Sequence, residues 1–144
     1  MAVSSEGLPL SIVTGPGNEH DSKRFVEVLG MVRIGIERGR PRSRPEEVDA
    51  DSAYDNKKLR GYLNQRGIKA NIPSNDRNRK NPKRGRPFRF NGESYKNRGS
   101  IERFFGWIKM GFRRIAVSYE RLNTCFIAMI NISCFLIYWR RIYA

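Results

Sequence analysis

The sequence predicts an α/β fold, and three observations carry that prediction. Short strand-like runs alternate with helix-like apolar stripes through residues 1–73. A basic stretch rich in Pro, Gly and Asn fills 74–94, and helical periodicity dominates 95–144. Strand-helix-strand-helix-strand alternation is the pattern of helices layered on a sheet. At 144 residues the chain has the size of one domain, large enough for a core.

In order, Ala2-Val3 and Leu8–Val13 read as strands turned at Ser4-Ser5-Glu6-Gly7, with Gly15-Pro16-Gly17 ending the second. A helix over Lys23–Val32 follows. Its stripe is Phe25, Val28, Leu29 and Val32, and Asp21 is the expected cap, which accounts for His20-Asp21 better than a catalytic pair does. Glu47–Asp51 reads as a strand running into an acidic cluster. Asn56–Gly67 is a helix with Leu59, Tyr62 and Leu63 inward and Gly67 as its stop. Ile68–Ile72 is a further strand, halted by Pro73. Residues 74–92 read as a loop. Two long helices, Ser100–Val117 and Glu120–Ile142, close the chain, the first with an apolar stripe of Ile101, Phe104, Phe105, Ile108, Phe112 and Ile115.

Lys and Arg number 28 against 14 Asp and Glu, a net charge of +14 with a pI near 10.5. So basic a chain calls for a polyanionic partner, most simply nucleic acid. Hydrophobic residues at 39% and aromatics at 11% exclude a disordered basic tail. His20 is the sole histidine, so no Cys/His metal spacing exists. Cys125 and Cys134 would stand about 13 Å apart along a helix, too far for a disulfide. They are expected as buried free thiols in a reducing compartment. The opening MAVSSEGLPL has no basic segment ahead of an apolar run, which points to the cytoplasm. The apolar run Cys125–Trp139 falls short of the roughly 20 residues that cross a bilayer, and Asn131 and Ser133 interrupt it. A buried C-terminal helix is the expectation, with no membrane partner.

Two sets of residues carry chemistry. Asp49, Asp51 and Asp55 cluster at a strand end, where open α/β folds place ligand chemistry. Strand alternation turns Asp49 and Asp51 to one face, whereas Asp55 suits capping of the next helix. Tyr95, Arg98, Glu102 and Lys109 fall within an arc of roughly 60° if all four are helical. Glu102 then lies at the edge of the packed stripe. Alternatively Ser100 is an N-cap, and Tyr95 and Arg98 approach from the preceding turn. Two separated carboxylates suit Mg²⁺, which takes few protein carboxylates and leaves positions for water and phosphate. Seven cations, Arg77, Arg79, Lys80, Lys83, Arg84, Arg86 and Arg89, stand without an acid between Asp76 and Glu93 and read as a DNA-binding stretch. Trp107 is expected to pack, with base stacking as its alternative.

These motifs resemble those of DDE transposases of prokaryotic insertion sequences, in the group with the Y-R-E-K signature. The matching stretches are EGLPLSIVTGPGNEHDS, DADSAYDN with Asp51, and Tyr95-x2-Arg98-x3-Glu102-x6-Lys109, in that order over nearly the whole chain. The resemblance implies a ribonuclease H-like catalytic domain, two divalent ions (Mg²⁺ or Mn²⁺), and DNA strand cleavage and transfer at transposon ends. It implies Asp51 and Glu102 as catalytic metal ligands, Arg98 and Lys109 on phosphates near the cut, and Tyr95 positioning the strand. Implied partners are double-stranded DNA and a second copy on paired ends, or an upstream transposase half, on the nucleoid.

The family's first catalytic Asp lies on the first, central strand of that fold, ahead of the hairpin that opens this sequence. Glu6, Ser4 and Ser5 do not replace it. The expectation is an N-terminally truncated domain with unpaired strand edges, marginally stable and inactive by itself. The alternative is a non-catalytic DNA-binding remnant, or a regulator of full-length transposase, that uses Arg77–Arg89 and Arg113-Arg114. A basic membrane-surface protein is a third.

Overall fold

The structure is a computed structural model that describes residues 1–35, 38–81, 87–117 and 122–143. The chain opens as an antiparallel hairpin, β1 (Ala2–Val3) against β2 (Pro9–Ser11). Its turn needs Gly7, whose φ of 86° is one that side chains rarely adopt. A 3₁₀ turn leads into α1 (Phe25–Met31), which buries Phe25, Val28 and Leu29, with Val32 buried just beyond. After it, β3 (Glu47–Asp49), α2 (Lys57–Gln65) and β4 (Lys69–Asn71) form a strand-helix-strand unit. The two strands are parallel and pair Glu47 with Lys69, Val48 with Ala70 and Asp49 with Asn71. Asn56 caps α2 through Leu59 N, and Gly67 ends it with φ 65°.

Two cores result. Phe25, Leu29, Ala50, Leu59, Leu63, Ile68 and Ile72 pack between α1, α2 and the β3–β4 pair. The second core gathers Phe104, Ile108, Ile115 and Ile130 from the last helices, with Met1, Val3 and Ile12 of the hairpin against it. The alternation predicted from sequence therefore holds. Among the described residues the strands form two separate two-stranded sheets rather than one.

Several local expectations change. Residues 74–92 are not wholly loop: Asn75 caps a short helix, α3 (Asp76–Lys80), that carries Arg77, Arg79 and Lys80. Lys83, Arg84 and Arg86 lie outside the described residues, as do Glu120 and Arg121 at the predicted start of the last helix. Asp51 lies beyond the strand and caps the 3₁₀ turn Ser52–Tyr54. The cap of the turn at Asp21–Arg24 is His20, whose Nδ1 accepts from Ser22 N, with Asp21 in the first turn instead. The predicted helix Ser100–Val117 breaks at Phe112 into α5 (Gly99–Gly111) and α6 (Arg113–Val117). A short helix, α4 (Gly92–Tyr95), and a 3₁₀ turn (Lys96–Arg98) precede α5 without interruption.

The largest correction concerns α7 (Asn123–Tyr143). It is not a buried helix: only Ile130 and Ser133 are fully buried, and 11% of its most apolar stretch is covered. The apolar run weighed from sequence stopped at Trp139, whereas the helix continues through Arg140 and Arg141 to Tyr143, within a residue of the predicted end at Ile142. By length and composition alone it is long and apolar enough to cross a membrane. One face packs on the second core, and Tyr138 Oη donates to Pro9 O at 2.6 Å. Ile132, Phe135, Trp139, Ile142 and Tyr143 are exposed on the rest. Both cysteines are free, as expected, but Cys125 is exposed; Cys134 is half-buried, and burial pushes its thiol pKa up.

Candidate functional site

Asp51 stands two residues past the end of β3. One of its oxygens is committed: Oδ1 accepts from Ser52 N at 2.6 Å and from Ser52 Oγ at 3.3 Å. The other, Oδ2, faces Arg98 Nη1 at 3.7 Å. The second nitrogen of the same guanidinium, Nη2, donates to Glu102 Oε1 at 3.3 Å. Arg98 thus bridges two carboxylates that lie on different elements and 51 residues apart in sequence (102 minus 51). The aromatic ring of Tyr95 lies beside it, 5.6 Å from the guanidinium carbon, and Phe90 packs on Tyr95 at 5.1 Å between centroids.

The helical run that carries Tyr95, Arg98 and Glu102 is anchored at its start by the sheet. Asn71, buried on β4, donates through Nδ2 to Asn91 O and accepts at Oδ1 from Asn91 N, both at 2.9 Å. It also donates to Asp49 Oδ1 at 2.5 Å, and Asp49 Oδ2 accepts from Ser94 Oγ at 3.3 Å. Asn91 in turn caps α4. Asp49 therefore serves the frame of the site, while Asp51 is left to face Arg98. Asn71 was legible only as an anomaly, an Asn where strand propensity is poor and burial is expected.

The Tyr95–Lys109 pattern is not one uninterrupted α-helical stripe, because a 3₁₀ turn lies between Tyr95 and α5. Tyr95 and Arg98 come from the preceding turns, as the alternative reading held. Ser100 is not the cap, though; it is buried inside α5, and the run begins at Asn91. Glu102 is not at a packed edge but in solvent, its side chain 67% exposed. Lys109 stands about two turns farther along α5, also exposed. Trp107 packs, half-exposed, on the hairpin turn, where a Cβ on Gly7 would stand 3.6 Å from its ring.

Asp55 is the third acid of the cluster, and its role differs. It does not cap α2, since Asn56 does. Its buried carboxylate accepts from Arg60 Nε at 2.6 Å, Asn75 N at 2.9 Å and Asn78 Nδ2 at 2.7 Å. Burial alone would raise its pKa, but the hydrogen bonds from Asn78, Asn75 and Arg60 outweigh it and hold the carboxyl below its ordinary 3.8. Arg60 Nη2 also donates to Ile72 O at 2.7 Å, and its guanidinium lies 3.9 Å from the Phe88 ring centroid. This clasp docks the basic helix α3 beside Asp51, and a cavity of about 500 Å³ opens between Asp51, Asn75, Arg79 and Tyr95. Arg77, Arg79, Lys80 and Arg89 are exposed, with Arg79 lining the cavity and paired with Asp76. Sequence reading missed Arg60, Asn75 and Asn78.

Among the described residues, no three His, Cys, Asp or Glu side chains are grouped to hold a metal. Asp51 and Glu102 supply two exposed carboxylates with hard oxygen donors, one of them an Asp51 oxygen uncommitted to the turn. That is a fitting partial ligand set for a Mg²⁺ ion that keeps several waters.

Comparison with known proteins places the sequence in a family. The family model for the transposase DDE domain matches residues 1–139. The chain is 31% identical over 139 residues to a Brucella ovis protein named "Putative transposase for insertion sequence element IS6501", covering 96% of this chain and 94% of that one. It is 27% identical over 140 residues to a Burkholderia cepacia protein named "Putative transposase for insertion sequence element IS402", covering 96% of this chain and 61% of that one. No solved structure matches it. An acidic strand end bridged to a helical Glu thus sits in a chain whose sequence aligns with insertion-sequence transposases, and the chain belongs to the transposase DDE domain family.

Proposed function

We propose that this chain carries two of the acids of a Mg²⁺-dependent (or Mn²⁺-dependent) transposase that cuts and rejoins DNA at insertion-sequence ends. The observation that carries the reading is the Arg98 bridge, which links Asp51 and Glu102 through one guanidinium although they lie on different elements. Asp51 and Glu102 hold divalent ions in a ribonuclease H-like site. When bound, such ions activate the attacking oxygen and stabilise the leaving one in a phosphodiester displacement. Arg98 and Lys109 contact backbone phosphates near the cut, and Tyr95 positions the strand. Arg77, Arg79, Lys80 and Arg89, with Lys83, Arg84 and Arg86, hold the duplex. The protein works on double-stranded DNA as a homodimer or with an upstream transposase half, in the cytoplasm on the nucleoid.

The division of the described strands into two sheets supports a further part of the reading. A strand bearing the first Asp lies between those sheets in the complete site, and the chain by itself does not cleave. The test is nicking of insertion-sequence-end DNA in Mn²⁺ by this chain, alone and joined to the polypeptide encoded upstream of it. The joined protein is expected to cleave and to lose cleavage with Asp51→Ala or Glu102→Ala. Nicking by the isolated chain, lost in Asp51→Ala, would overturn its proposed inactivity. A joined protein that binds DNA with no response to divalent metal would support the second reading, a non-catalytic DNA-binding remnant or regulator. The net charge of +14 suits DNA binding in either reading, so the response to metal is what separates them.

A further inference from the structure

We propose that Arg98 is an internal counter-ion that holds the metal site shut until DNA arrives. The inference rests on the reading of Asp51 and Glu102 as metal ligands. One guanidinium lies between the two carboxylates and supplies the positive charge that both of them face. Two different nitrogens reach two carboxylates from different elements, at 3.7 Å and 3.3 Å. The Asp51 oxygen it faces is the one not committed to Ser52. A monocation and a dication cannot share that space, because their repulsion within about 4 Å opposes joint occupancy.

The bridge is built to be exchanged. Both distances are long for ion pairs and the partner side chains are 53% and 67% exposed, so each contact is weak. The Arg98 side chain caps no helix, and the Tyr95 ring gives the guanidinium a neighbouring face. A backbone phosphate offers two acceptor oxygens in the geometry that a guanidinium prefers, and so competes well for it. Withdrawal of Arg98 to phosphate leaves Asp51 and Glu102 without their shared counter-ion, a deficit that a divalent cation relieves. Metal and DNA then raise each other's affinity by the same factor, and the site loads when a strand is in place to be cut.

The test is Mn²⁺ binding to the purified chain, followed by the electron paramagnetic resonance signal of free Mn²⁺, without DNA. Arg98→Ala is expected to bind Mn²⁺ roughly three- to tenfold more tightly than the wild type, in line with the loss of two exposed pairs. Asp51→Asn should abolish binding in both backgrounds. In a second readout, anisotropy of a fluorescent 20-base-pair duplex, Ca²⁺ should strengthen DNA binding by the wild type and not by Arg98→Ala. Equal or weaker Mn²⁺ binding by Arg98→Ala, with binding still dependent on Asp51, overturns the counter-ion role and leaves the metal site standing. Absence of Asp51-dependent binding in either protein overturns the metal reading and the counter-ion with it. Circular dichroism melts of all variants separate these results from misfolding.

Discussion

Asp51 and Asp55 lie four residues apart, and each meets an arginine, yet the two pairs behave as different kinds of object. The Asp55–Arg60 pair is sealed, with side-chain exposures of 2% and 9%, an N–O distance of 2.6 Å, and further hydrogen bonds from Asn75 and Asn78. The Asp51–Arg98 pair is open, longer, and shared with Glu102. The same residue types thus make a permanent clasp where water is excluded and a replaceable contact where it is not. Burial of a charge forces full satisfaction of its hydrogen bonds, and that rigidity serves the frame. Exposure keeps the cost of breaking the contact low, which suits a group that has to change partners.

The comparison breaks most visibly at the clasp. Asp55→Ala strands a buried guanidinium and frees α3 from its dock, and is expected to destabilise the fold by about 3–5 kcal/mol in chemical denaturation. A loss under about 1 kcal/mol would show that the clasp is not structural. Next comes Asn71→Ala, which removes the bonds that fix the start of the Tyr95–Glu102 run. A cost of about 1–3 kcal/mol is expected, together with weaker metal binding although Asn71 touches no ligand position. Asp51→Asn and Glu102→Gln, by contrast, should shift stability by about 0.5 kcal/mol or less, yet abolish metal binding. A large stability loss in either would place it with Asp55.

Acid sharpens the same contrast. Because the folded state holds the Asp55 pKa below its ordinary 3.8, its contribution is fully present above that value. It is lost as pH falls through the lower folded pKa, where the native state must take up the proton. Urea denaturation from about pH 5 down to about pH 2 should therefore show a steeper acid loss in the wild type than in Asp55→Asn. Parallel curves would contradict the assignment. The smallest expected effect lies on α7, where Phe135 and Trp139 are 60% and 50% exposed. Phe135→Glu should change the melting temperature little, by an amount matching about 0.5 kcal/mol, and raise solubility.

Legibility from sequence followed the range of the interactions. The β1–β2 hairpin, the α1 stripe of Phe25, Val28, Leu29 and Val32, and the stop at Gly67 are all set within a few residues of chain, and all were readable. Which residue capped which turn was less so: His20, Asn56 and Asn75 each had an equally suitable neighbour. The burial of α7 was misjudged because apolar content is a local property, whereas cover must come from elsewhere in the fold. Its exposed face, from Ile132 to Tyr143, has an apolar sequence and little of the chain against it.

The sequence by itself determined the strand-helix alternation, the basic character, and the residue types and spacings of the Asp51 and Tyr95–Lys109 motifs. Local periodicity and turn chemistry act over one or two turns of chain, so they are written where they act. Only the tertiary structure decided that Asp51 serves the open bridge and Asp55 the sealed clasp, and that Asn71 anchors the run bearing Glu102. Those assignments depend on which distant groups arrive beside each carboxylate and on whether water is excluded there. Chain packing sets both, and neither is encoded within reach of the residue itself.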